Sequence, residues 1–84
     1  MNSKHRKTHE AVFAKPTAAS LEWAHIESRF MALGCKAVEG NGSRVRFAHG
    51  AKVGTFHRPH PAKEAKPYQV ESAREFLTLI GATP

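Results

Sequence analysis

The chain has a single cysteine, a single tryptophan and a single tyrosine among its 84 residues, and only seven acidic side chains against thirteen lysines and arginines. Each scarcity removes a class of explanation. One cysteine, Cys35, cannot close an internal disulfide, which leaves the reducing cytoplasm as the expected setting and apolar packing as the source of stability. No apolar run approaches the length of a bilayer span, and the first residues lack the apolar stretch of a secretory signal, so no membrane role is expected. Internal repeats are missing as well. A chain of this length supports one small domain with a modest core.

The shortage of acids is uneven. From Lys36 to Lys66 the chain carries Lys36, Arg44, Arg46, Lys52, Arg58, Lys63 and Lys66 against Glu39 and Glu64, an excess of +5 within an overall charge of +6. The segment from Lys4 to Lys15 adds an excess of +3, while the two strongest helical segments are close to neutral. Clustered lysine and arginine is the footprint of a surface for polyanions, because each phosphate they neutralise releases a condensed counterion. The plainer reading is a solvated basic surface. A membrane-surface helix would need a bulky apolar face, and Val12 with Phe13 is too little.

Apolar spacing organises the rest. Trp23, Ile26, Phe30 and Leu33 fall on one helical face within Leu21–Leu33, and Gly34 stands where a C-terminal cap belongs. His25 lies beside that stripe, where a surface histidine is the ordinary reading. Lys36–Glu39 is a short strand candidate, and Asn41-Gly42 favours a tight turn. Ser43–His49 alternates, with Val45 and Phe47 on one face and Arg44 and Arg46 on the other. Gly50 marks a second turn, and Lys52–Phe56 is a third strand in which Val53 and Phe56 have opposite parity, so either a bulge intervenes or one of the two leaves the core. Pro67 suits the first turn of a helix whose stripe is Val70, Ala73, Leu77 and Ile80, with Phe76 alongside, ending at Gly81. The expected fold class is α+β, helix–three-stranded antiparallel sheet–helix, with both helices on the Val45/Phe47 face. Residues 1–20 read as an extension with a short frayed helix at about Lys4–Ala14 and a linker, expected to dock on the domain or on a partner, and residues 21–84 as the domain.

The segment Phe56-His57-Arg58-Pro59-His60-Pro61-Ala62-Lys63-Glu64 concentrates proton-exchanging and cationic groups. Its prolines fix their own φ and push Arg58 and His60 out of the helical region. A polyproline-like backbone would bring His57 and His60 to one side, whereas a strand would turn them to opposite sides. His57-x-x-His60 offers two zinc ligands where a structural site needs four, and no spacing recruits Cys35 or His49. Cys35 at a helix end is a small apolar filler rather than a nucleophile. Tyr68 could stack on a base or cover the edge of the core.

These residues also carry a likeness. A helix ending Ala32-Leu33-Gly34, a strand opened by Gly42-Ser43-Arg44-Val45, the run His57 to Glu64 and a last helix ending at Gly81 together resemble the HicA toxins of bacterial toxin–antitoxin modules, over about Trp23–Pro84. The resemblance implies a double-stranded-RNA-binding-like fold, cleavage of mRNA without a required metal or other cofactor, and a HicB antitoxin as partner. The family motif is Gly-Ser-His, and its histidine is catalytic. Here Arg44 occupies that position, so this assignment does not transfer.

Metal-independent RNA cleavage needs a base for the 2′-hydroxyl proton, cations for the charged phosphorane and an acid for the 5′-oxygen. Arginine cannot serve as a base at ordinary pH, so Arg44 suits a phosphate clamp. The expected assignment gives proton transfer to His57 or His60 and phosphate binding to Gly42, Ser43, Arg44, Arg46, Arg58 and Lys63. The bland alternative makes both histidines turn residues shaping the approach to the last helix. Two other functions compete: an RNA-binding module of the same fold that does not cut, and an interaction subunit whose basic face meets an acidic protein.

Overall fold

The computed structural model describes residues 2–84. Helix α1 spans Ser3–Phe13 and α2 spans Trp23–Ala32; strands β1 (Lys36–Glu39), β2 (Arg44–His49) and β3 (Lys52–His57) follow, and α3 (Pro67–Leu79) closes the chain. The strands form an antiparallel meander in the order β1-β2-β3. This is the α+β arrangement, helix–three-stranded sheet–helix, that the apolar spacing predicts. No helix among the described residues is long and apolar enough to cross a membrane.

Alternation along the strands sorts the sheet into two faces. Val45, Phe47 and Phe56 are buried between the sheet and the helices, while Arg44, Arg46, Thr55 and His57 are exposed on the opposite face. The β2–β3 ladder runs without interruption from Arg44↔His57 to His49↔Lys52, so no bulge intervenes. The parity conflict resolves the other way: Phe56 enters the core and Val53 is half exposed on the outer face. Gly54 occupies the inward position next to Phe56 because Phe76 lies against it. A Cβ there would sit 2.7 Å from the Phe76 ring.

Phe30 of α2 is the hub of the core. Its ring meets Phe47 at 5.0 Å, Phe76 at 5.2 Å and Phe56 at 5.5 Å between centroids, joining both helices to the sheet through edge-on or tilted contacts. Both helices end in the same motif. Gly34 (φ 89°) and Gly81 (φ 83°) take the left-handed conformation, and the residues after them, Cys35 and Ala82, donate to the carbonyls of Phe30 at 3.1 Å and Leu77 at 2.8 Å. Cys35 is buried, and burial pushes its thiol up in pKa, as befits a core filler.

Two segments differ from expectation. The N-terminal helix is not frayed: the Asn2 side chain accepts from the His5 N–H at 2.8 Å, and Thr8, His9 and Val12 are buried. Arg74 of α3 holds its far end by donating to the Val12 carbonyl at 2.9 Å, so α1 docks on the domain itself. Leu21 and Glu22 do not begin α2. They pair with the stretch before α3 through a Glu22↔Glu64 bridge, in which the Ala65 N–H donates to the Leu21 carbonyl and the Trp23 N–H to the Lys63 carbonyl. That bridge satisfies an N–H at the start of α2 that no side-chain cap serves.

Candidate functional site

The outer face of the sheet carries the densest group of the predicted residues. Arg44 and His57 are direct cross-strand partners, and Arg46 stands opposite Thr55 two residues along the same face. Directly opposed residues on one face keep their Cβ atoms about 4.5–5.5 Å apart, close enough for one phosphate to touch both side chains. Lys36 and Val38 of β1 lie on this face beside Ala48 and Arg46. Neither helix covers it. Gly42 and Ser43 form the end of the β1–β2 turn, and the Ser43 carbonyl accepts from the Arg58 N–H at 2.8 Å. This bond ties the turn to the end of β3 and fixes the Arg44–His57 register.

His57 is the last residue of β3, and His60 lies three residues on, in the exposed loop beyond the strand. The two are therefore not a matched pair on one element. Gln69, buried at the start of α3, holds the strand end: its Nε2 donates to the His57 carbonyl at 2.7 Å, and its Oε1 accepts from the Lys66 N–H at 2.8 Å. The backbone of His57 is thus anchored while its side chain stays exposed.

Arg58 stands apart from the basic face. The chain turns inward at this residue, and its guanidinium meets two carboxylates. Nε and Nη2 donate to Glu27 of α2 at 2.7 and 3.2 Å, and Nη1 and Nη2 donate to Glu39 of β1 at 2.5 and 2.9 Å. Four of the five N–H donors that an arginine possesses are thereby engaged. The Trp23 indole N–H donates to the same Glu27 carboxylate. These bonds hold Arg58 more firmly as a cation and keep the Glu39 carboxyl below its usual range. Arg58 joins α2, β1 and the end of β3, and has little capacity left for phosphate.

The remaining residues are scattered. Lys63 sits beside the N-terminus of α2, where its carbonyl accepts from Trp23, and its side chain is exposed. Lys52 turns to α3 and donates to the Leu79 carbonyl at 2.9 Å, so it leaves the basic face. Among the described residues no three His, Cys, Asp or Glu side chains gather as a metal site requires. Cys35 lies in the core and His49 at the opposite end of β2 from the Arg44–His57 pair. Tyr68 is exposed on the first turn of α3.

Sequence reasoning missed a second arginine. Arg29 is 5% exposed on α2, and its Nε donates to Nδ1 of His9, itself 6% exposed, at 3.1 Å. The signal for it was slight: Arg29 falls one position before the core residue Phe30, which puts it on the flank of the apolar stripe that α1 covers.

The sequence model of one family, described as HicA toxin of bacterial toxin–antitoxin, matches residues 23–79. No curated protein and no solved structure matches the chain. The matched region begins at α2 and ends with α3, so it contains the sheet, the Arg44–His57 pair and the Arg58 junction, and excludes α1.

Proposed function

The chain belongs to the HicA family and is a toxin of the bacterial toxin–antitoxin kind, and from that premise we propose that it acts as an endoribonuclease on mRNA, using the outer face of its sheet. The observation that carries the reading is the register that sets His57 across from Arg44. The family's histidine position is taken by an arginine, and an imidazole stands on the neighbouring strand facing it. In this reading His57, not His60, removes the 2′-hydroxyl proton. The 2′-oxygen then bonds to phosphorus and the P–O5′ bond breaks, leaving a 2′,3′-cyclic phosphate, while the departing 5′-oxygen takes a proton from water. Arg44 and Arg46 hold the non-bridging oxygens, where two guanidinium groups offset the charge that grows in the transition state. Gly42 and Ser43 shape the turn that presents Arg44, and Lys63, exposed beside the N-terminus of α2, adds to the positive field of the molecule. Arg58 positions the strand end and touches no substrate.

The neutralising partner is proposed to be a HicB antitoxin that covers this same face. Val38 and Val53 are both half exposed on it, a mixed basic and apolar character that suits a protein as well as RNA.

The test is a time course of RNA length with a defined mRNA, using wild type and the variants His57→Ala, His60→Ala and Arg44→Ala, each verified as folded. His57→Ala is expected to slow cleavage about 10²–10⁴-fold, the usual contribution of general acid–base catalysis. His60→Ala should stay near wild type, and Arg44→Ala should weaken RNA binding as well as cleavage. Full activity in His57→Ala removes the assignment. Salt-sensitive RNA binding by wild type with no change of RNA length would select the non-cleaving module instead, a reading that the missing family histidine favours.

A further inference from the structure

We propose that the hollow enclosed by α1, the end of α2 and the residues after α3 is a binding site for a small carboxylate carried on a short apolar stem. It lies outside the RNA reading and does not depend on it. Arg29 supplies the recognition group. Its one side-chain hydrogen bond among the described residues goes from Nε to Nδ1 of His9, and a histidine nitrogen accepts only while it lacks a proton, so that partner is neutral. Arg29 forms no ion pair among the described residues. Although the residue is 5% exposed, no unbonded side-chain nitrogen among the described residues is fully buried, so Nη1 and Nη2 remain open to solvent and to an anion.

With Nε occupied, the free edge of the guanidinium is the one carrying Nη1 and Nη2. Two parallel N–H groups there match the two oxygens of a carboxylate. Arg29 lines a cavity of about 370 Å³ together with Arg6, which adds a second cation, and Glu10, which subtracts one. Among the lining side chains the cations outnumber the carboxylates, which favours an anion, and the planar fork of Arg29 fits a carboxylate. The other walls include Leu33, Ala82 and Pro84, which suit an alkyl stem better than a hydrated group. Leu33 and Ala82 belong to the glycine-capped ends of α2 and α3, so the walls are held by backbone hydrogen bonds. The volume lies within the ordinary range for small-molecule sites.

The experiment is an amide NMR titration of the full chain at constant ionic strength with acetate, propionate and butyrate, with inorganic phosphate as the contrasting anion and acetyl-Glu-methylamide as a protein-like carboxylate. Saturable shifts are expected at Arg29, His9, Leu33 and Ala82, with binding about three- to fourfold tighter per added methylene. Arg6→Gln changes an exposed side chain, so the fold should persist, and it should weaken butyrate binding several-fold while leaving RNA cleavage unchanged. Arg29→Lys keeps a charge but loses the fork, and should weaken binding at least tenfold. Acetyl-Glu-methylamide binding as tightly as butyrate would identify the source as an acidic protein side chain, and tighter butyrate binding would identify a free acid. The proposal is overturned if no carboxylate gives saturable shifts, if phosphate binds as well as butyrate, or if both variants bind as wild type does. None of those outcomes bears on the RNA reading.

Discussion

Arg58 and Arg29 both serve as joints between α2 and another part of the molecule, and they do so in opposite electrostatic settings. Arg58, at the rim, gives four hydrogen bonds to the carboxylates of Glu27 and Glu39, which hold it more firmly as a cation. Arg29, in the interior, gives one to a neutral imidazole, and burial lowers its pKa. The first joint lies inside the matched family region and locks the sheet to α2; the second reaches outside it, to α1. Charge count alone would rank the two residues equally as anion binders. Their partners reverse that: the doubly neutralised arginine is spent on architecture, and the one without a carboxylate keeps its capacity for an anion.

The largest break in this comparison is Arg58→Ala. It leaves two carboxylates from different elements facing each other without a cation, while a third of the arginine side chain was already in solvent. Hydrogen bonds to charged groups and partial exposure together suggest a loss of about 2 kcal/mol, read from urea unfolding. Arg58→Lys should recover less than half, since a single ammonium cannot fork to both carboxylates. A loss below about 0.5 kcal/mol would mean that this joint is an ordinary surface contact.

What the sequence revealed of this comparison follows distance along the chain. The faces of α2, β2 and α3 were legible because periodicity is local, as were the two glycine caps. Assigning Val53 and Phe56 required knowing that Phe76 presses on Gly54, a contact from another element. Arg58 reads as a phosphate ligand in a basic run because its acidic partners lie 31 and 19 residues away. His9 and Arg29 are 20 residues apart, and α1 has only three buried residues, so its polar sequence resembles a frayed end. The site was half legible. Alternation put Arg44 and Arg46 on an open face, but placing His57 opposite Arg44 needed the register of β3.

Acid titration separates the two joints by pH. Burial, then the Arg29 charge, lowers the pKa of His9 below 6.5, so on acidification the unfolded chain takes up a proton that the folded chain resists. Its contribution to stability is complete above about pH 6.5 and is lost as pH falls toward the lowered folded value. The Glu39 carboxyl is held below 4.5 by its hydrogen bonds to Arg58, so its contribution is complete above that value and is lost at lower pH. Stability measured by urea unfolding across pH should therefore decline in two stages. His9→Gln should flatten the first stage alone, because a glutamine oxygen still accepts from Arg29, and Glu39→Gln should flatten the second alone. One shared stage that responds to both variants would mean that the two joints are coupled.

The smallest effect, and the sharpest contrast, is expected from Arg29→Met. Methionine keeps most of the side-chain volume and removes a buried cation that no carboxylate balances, a replacement that is often neutral or stabilising. Against this, Nδ1 of His9 loses its donor. The two terms oppose each other, and unfolding stability should stay within about 1 kcal/mol of wild type, well short of the Arg58→Ala loss. Because His9 would no longer face a cation, its pKa should rise toward the unfolded value, and the first stage of the acid decline should become smaller without disappearing, since burial, the larger cause, remains. A loss as large as that of Arg58→Ala, with His9 unmoved, would show that Arg29 is held by interactions beyond His9, and the contrast between the two arginines would fail.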